Sequence, residues 1–144
     1  MIDKRIKLLR SKFIQHKIDG YVIPKNDQFF SEYAVEDRLK IISNFSGSAG
    51  LAIILKKKNY LFVDGRYTIQ AQQQSGKKFK IIEIHKFLPF KIIKNLSLGF
   101  DPSLFTRKQL NAYFNNSLIL KPINKNLVDE IYKEKAYKNK NFFS

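Results

Sequence analysis

The sequence predicts an α/β domain, a mixed β-sheet flanked by helices. Two patterns carry that expectation. Short β-branched runs at 21–24, 51–55, 60–63 and 80–84 are separated by stretches whose apolar residues recur at helical spacing. Strands alternating with helices, broken by one hairpin, are the pattern of a layered α/β sheet. At 144 residues, with 44% hydrophobic and 14% aromatic residues, the chain suffices for one packed domain and is too apolar for disorder.

The elements follow in order. Ile2, Ile6, Leu9 and Phe13 mark an amphipathic first helix with Lys and Arg on its wet face and Gly20 just past its end. Residues 21–24 read as a short buried strand closed by Pro24. Residues 25–38 are polar and mixed, a loop carrying a helical turn before 39–42. The small-residue stretch 45–50 turns the chain into the strand 51–55, and the Lys/Asn tip at 56–59 returns it as the strand 60–63. Asp64-Gly65 closes that strand, and 66–74 has the composition of a helix. A strand at 80–84, a short helix at 87–94 interrupted by Pro89, and a strand at 97–100 stopped by Asp101-Pro102 come next. Thr106 is an N-cap for a helix over 107–114. A short strand at 118–120 and a terminal helix at 127–137 complete the series. The Lys- and Asn-rich tail reads as the start of a linker, so the expected division is a domain at 1–133 and a linker at 134–144 leading to an absent domain.

The net charge of +15 invites a nucleic-acid reading, but its make-up argues against one. There are 22 Lys against 5 Arg, beside 18 Ile and 11 Asn, all residues favoured by A/T-rich codons. Arg, whose planar fork reads phosphates and guanine edges, is the scarce cation here. The absence of cysteine excludes disulfides, thiolate nucleophiles and cysteine-based metal sites. No apolar run approaches the ~18 residues of a membrane span, and the start lacks a signal-peptide core, so the expectation is a cytoplasmic protein without a membrane partner.

Signs of catalysis are few. His16 and His85 stand alone, without a neighbour at the spacing of a metal pair, and no phosphate loop, GxSxG or HExxH is present. Asp27, Glu32, Glu36, Asp37 and Asp64 read first as turn formers and surface charges. No catalytic, cofactor or metal residue is expected in this chain. What stands out is a cluster of costly choices: Asp27, Ser31, Glu32, Tyr33 and Arg38, then Ser46, Gly47 and Ser48, then Asp64 and Arg66. Gly47 and Gly50 signal special backbone angles or close approaches. Arg38 and Arg66, in a chain that otherwise uses Lys, suggest bidentate pairs with Asp27, Glu32 or Asp64. Such pairs either pin loops or form a polar rim offered to a neighbouring domain.

Four segments in order carry a resemblance. SEYAVEDRLKIISNFSGSAGLAIIL, YLFVDGRYTIQAQQQ, LGFDPSLFT and NLVDEIY are similar to the creatinase-like amino-terminal domain of Xaa-Pro aminopeptidases, chiefly the long multi-domain type. Tyr132 stands where a Trp is common, and Asn44 replaces the Gly usual before Phe45, which suggests an altered turn. The resemblance implies a ribonuclease-H-like α/β fold without nuclease chemistry. It also implies a parent enzyme that removes the residue preceding proline with two divalent metals, manganese in most members, held in an absent catalytic domain. In such a parent this domain contributes to subunit association in a homo-oligomer and to the walls of the cleft that takes peptides with proline second. Two alternatives stay open at this point: a stand-alone basic nucleic-acid-binding module, or the equivalent domain of another relative such as a prolidase.

Overall fold

The computed structural model describes residues 2–25, 37–115 and 117–132. In chain order the elements are α1 (Ile2–Ser11), α2 (Phe13–His16), β1 (Gly20–Pro24), α3 (Arg38–Ser43), β2 (Leu51–Leu55) and β3 (Asn59–Val63). A 3-10 turn at Gly65–Tyr67 leads into α4 (Thr68–Ser75), followed by β4 (Lys80–Glu83), α5 (Pro89–Ile92) and β5 (Ser97–Phe100). A second 3-10 turn at Pro102–Leu104, α6 (Arg107–Tyr113), β6 (Ile119–Pro122) and a helix α7 at 127–132 complete the described chain.

Among the described residues six strands form one sheet in the order β4-β3-β2-β1-β5-β6. β2 pairs antiparallel with both β1 and β3, whereas the β3–β4, β1–β5 and β5–β6 pairs are parallel. The expected mixed sheet is therefore five strands in one direction with β2 reversed. Helices cover both faces, which is why the strands read as continuous apolar runs. Tyr21, Ile23, Ala52, Ile54, Leu61 and Val63 point into the core under α1, α3, α4 and α7. Val22, Leu51, Ile53, Tyr60 and Phe62 point into a second core with Phe100 and Phe114. The period of two is intact; only the polar half is missing.

The first helix differs from expectation at its end and on its wet side. It breaks after Ser11, resumes as α2 and ends at Lys17, which takes the left-handed conformation at φ 55°. Gly20 instead opens β1, where a Cβ would lie 2.9 Å from the Ile54 carbonyl oxygen and 2.5 Å from the Leu55 side chain. Arg5 and Arg10 are half-buried rather than solvated. Arg5 Nη1 donates to the Ile41 carbonyl at 2.9 Å. Arg10 donates through Nε to the Leu55 carbonyl and through Nη2 to Asn59 Oδ1, both at 2.7 Å, and burial lowers its pKa. These bonds strap α1 to α3 and to the β2–β3 hairpin.

The carboxyl-terminal helix is held by buried polar groups. Asp101 caps the 3-10 turn after β5, its Oδ1 accepting from the Ser103 amide and hydroxyl. Its Oδ2 accepts from Asn126 Nδ2 at 3.0 Å. Asn126 Oδ1 in turn accepts from the Val128 and Asp129 amides at the start of α7, and the Leu127 amide donates to the Tyr21 hydroxyl at 3.2 Å. Leu127, Val128 and Ile131 fill the core beneath.

Asn126→Ala would leave a carboxylate oxygen and the first amides of α7 without partners in a buried setting. The expected loss is about 1–3 kcal/mol, read as a lower denaturation midpoint at unchanged slope. A midpoint equal to wild type would show that the apolar contacts of α7 suffice without the cap.

Candidate functional site

The singled-out stretches 45–50 and 64–66 meet at one edge of the sheet. Asn44 ends α3 in the left-handed conformation at φ 67°, a role that Asn tolerates better than most residues and Gly best. Phe45 is then fully buried, its ring edge-on to Tyr67 with centroids 6.2 Å apart. Close approach, not positive φ, explains the glycines. A Cβ on Gly47 would fall 2.2 Å from the Phe45 ring, and one on Gly50 3.0 Å from Leu39. Side chains of α4 hold the turn: Gln74 accepts from the Ser46 amide and donates to its hydroxyl, Gln70 donates to the same hydroxyl, and Ser48 bonds the Tyr67 hydroxyl.

Asp64 caps the following 3-10 turn. Its Oδ1 accepts from the Arg66 amide at 2.9 Å and from Arg66 Nε at 3.2 Å, and its Oδ2 lies 3.2 Å from His85 Nε2. The Arg66 amide first, and then its guanidinium, hold the Asp64 carboxyl below its usual range. Arg66 is 77% exposed and stands 5.5 Å from the Tyr67 ring centre.

The two arginines pair differently from one another. Arg66 does pair with Asp64, one of the partners offered, but through one nitrogen and in solvent rather than as a bidentate fork. Arg38 does form a bidentate pair, but with Asp129 of α7 at 2.8 and 2.9 Å, which raises its pKa. Asp129 is 91 residues away, and nothing in its local sequence announces the contact. His85 was read as isolated because its partner Asp64 lies across the β3–β4 pair. Lys25, which pairs with Asp37, is another contact that spacing does not reveal. Asp27, Ser31, Glu32 and Tyr33 lie outside the described residues.

Ser48 and Asp64 open onto a cleft of about 500 Å³ at this edge, with Lys25 and His85 at its mouth and Leu51 and Phe62 in its floor. Ser46 and Gly47 face α4 instead, and Arg38 belongs to the α7 contact. Among the described residues no group of three or more His, Asp or Glu gathers to hold a metal. The nearest approach to one, Asp64 with His85, does not fit a metal, because the Arg66 cation already occupies the carboxylate.

A mixed sheet with one reversed strand and helices on both faces is the ribonuclease-H-like arrangement expected, the architecture of creatinase and prolidase amino-terminal domains. The chain belongs to the creatinase/prolidase N-terminal domain family, whose model matches residues 5–128. It is 36% identical to a probable Xaa-Pro aminopeptidase P of Laccaria bicolor, over 91% of this chain and 23% of that protein. It is 34% identical to aminopeptidase P1 of Lotus japonicus, over 93% of this chain and 22% of that protein. The chain thus spans less than a quarter of these relatives. The X-prolyl aminopeptidase of Caenorhabditis elegans, described as a cytosolic enzyme with a di-nuclear active site, superposes with a TM-score of 0.70 at 28% identity, over 92% of this chain and 26% of that one. The N-terminal domain of the peptidase PepQ from Mycobacterium tuberculosis shares the fold at a TM-score of 0.68 and 20% identity, over 88% of this chain and 97% of that one.

Two outcomes test the site's construction. Gly47→Ala should cost about 1–3 kcal/mol, because Phe45 is wedged against Tyr67 and cannot yield; calorimetry reads the loss. Asp64→Asn keeps an acceptor for the Arg66 amide and removes only the charge. The carboxylate's pKa is depressed on folding, so its contribution is present above the unfolded value of about 3.9 and fades as pH falls through the folded one. The melting-temperature gap between wild type and variant should therefore be open at neutral pH and close in acid. A gap independent of pH would assign the effect to something other than the charge.

Proposed function

We propose that this chain is the non-catalytic amino-terminal domain of a dinuclear metal-dependent Xaa-Pro aminopeptidase, occupying residues 1–133 and entering a linker at 134–144. The observation that carries the reading is the asymmetry of coverage: similarity runs over 91–93% of this chain and only 22–23% of the aminopeptidases it matches. The hydrolytic chemistry then belongs to the remaining three-quarters of the parent. There two divalent metals, manganese in this reading, would polarise the scissile carbonyl and supply a hydroxide. The parent is a cytoplasmic homo-oligomer acting on peptides with proline second. The role of this domain is to help join subunits and to wall the substrate cleft with the rim formed by Asp27, Ser31, Glu32, Tyr33, Ser48, Asp64 and Arg66.

Such a rim acts by positioning, where small displacements are expensive in rate. In the full-length parent, Arg66→Ala and Tyr33→Phe are expected to lower kcat/KM on Xaa-Pro peptides by about three- to thirtyfold, with metal content unchanged. Oligomeric state is measured on the same samples, so that lost assembly is not mistaken for lost positioning. Wild-type kinetics together with wild-type assembly in both variants would reduce the rim to loop scaffolding. Xaa-Pro hydrolysis by the 144-residue chain alone, supplied with manganese, would overturn the domain assignment itself.

A further inference from the structure

The cleft sits where the sheet's connections diverge. From β1 the chain passes to β2 on one side, while β4 crosses over to β5 on the other side of β1. In open α/β sheets the crevice outside the carboxyl ends of the strands, at such a point, is where ligands bind. The lining follows that geometry: the ends of β1, β3 and β4 and the start of β2 form one side, and the turn after β5 together with α6 forms the other. Its volume of about 500 Å³ is that of a small-ligand site.

The chemistry of the lining selects the kind of ligand. Leu51 and Phe62 are buried and give an apolar floor, and Leu104, Phe105 and Tyr113 give an apolar wall. Both aromatic rings of that wall are braced from behind, Phe105 edge-on to Phe100 at 5.9 Å and Tyr113 edge-on to Phe114 at 6.3 Å. The charges at the mouth cancel locally in a chain whose net charge is +15: Lys25 is paired with Asp37, and Asp64 with Arg66. Gln109 accepts from the Thr106 amide with Oε1, which fixes the side chain and leaves its NH2 group to donate. The Tyr113 hydroxyl has no hydrogen-bond partner among the described residues. The surroundings are therefore apolar and charge-neutral, with two available donors, the Gln109 NH2 group and the Tyr113 hydroxyl.

We propose that this cleft binds an extended, uncharged stretch of peptide, which seats one bulky apolar side chain against Leu104 and Phe105 and offers its backbone carbonyls to Gln109 and Tyr113. A peptide supplies what such a lining takes: an apolar side chain for the wall, carbonyl oxygens for the two donors, and no net charge. An anion finds only neutralised cations here. The inference goes beyond the assignment of a domain to a larger enzyme, because it predicts binding by this chain alone, without the metals.

The test is an NMR titration of the 144-residue chain with N-acetyl-Ala-Phe-Ala-amide, which carries no charge. Saturable shifts are expected at the amides of residues 49–51, 63–64, 84–85 and 104–105, with Kd below about 1 mM and little dependence on salt. Tyr113→Phe removes only the hydroxyl and should weaken binding about threefold; Leu104→Asn should weaken it about tenfold. Ile69→Ala, on an exposed position of α4 away from the cleft, should bind like wild type. Shifts scattered over the lysine-rich surface, or binding that Tyr113→Phe and Leu104→Asn both leave intact, would overturn the proposal. So would displacement of the peptide by a single-stranded oligonucleotide in a salt-steep manner, which would assign this edge to nucleic acid. These outcomes are separate from the parent's kinetics, so this proposal and the domain assignment can fail independently.

Discussion

The reversal of β2 is the constraint on which the site depends. With five strands pointing one way, a sixth parallel strand would carry its amino end to the opposite edge of the sheet. Because β2 runs against its neighbours, its amino end lies beside the carboxyl ends of β1 and β3. The turn 45–50 that feeds β2 and the Asp64-Gly65-Arg66 segment that leaves β3 are thereby brought to the same edge. The contacts between Ser46 and the glutamines of α4, and between Ser48 and Tyr67, are consequences of that reversal. Phe45 makes the arrangement specific: it fills the space beneath the turn so completely that position 47 has room only for glycine.

Cations in this protein divide by geometry rather than by charge. Lysines are mostly at the surface, where a flexible ammonium is solvated cheaply. Arg5, Arg10 and Arg38 instead bridge elements distant in sequence, each using the fixed fork of the guanidinium to reach a carbonyl or a carboxylate. Arg10 donates in two directions at once, which an ammonium on a single stem could not do at the same separation. The scarcity of Arg thus has a structural counterpart: most of the few present hold the fold together, which leaves the excess charge of +15 to a dispersed lysine surface.

The last described helix, α7, is held to the sheet by polar contacts. Asp101, Asn126, Tyr21 and the Arg38–Asp129 pair tie α7 to β5, β1 and α3 through groups that are largely shielded from water. Buried polar contacts of this kind are costly when incomplete, and each partner here is satisfied by the next.

Local chemistry was legible in the residues themselves. The β-branched runs, the Thr106 cap and the stop at Asp101-Pro102 specify strands, a helix start and a turn through torsional preference and nearest-neighbour hydrogen bonds, and those elements stand close to where they were expected. The ordered motifs identified the family, and with it the fold. The contacts between distant residues were not legible. Arg38 finds Asp129, His85 finds Asp64, and Gly20 begins a strand instead of ending a helix, because each depends on which elements become neighbours. The site divides along the same line: the sequence marked Ser48, Asp64 and Arg66 as unusual, whereas the cleft wall supplied by Leu104, Phe105, Gln109 and Tyr113 passed unnoticed. Those residues are an ordinary turn and helix until the crossover from β4 to β5 carries them to the edge where β1 ends. Torsions and caps are properties of a few consecutive residues, and the sequence by itself determined those; partner choice is a property of sheet order, and only the tertiary structure decided it.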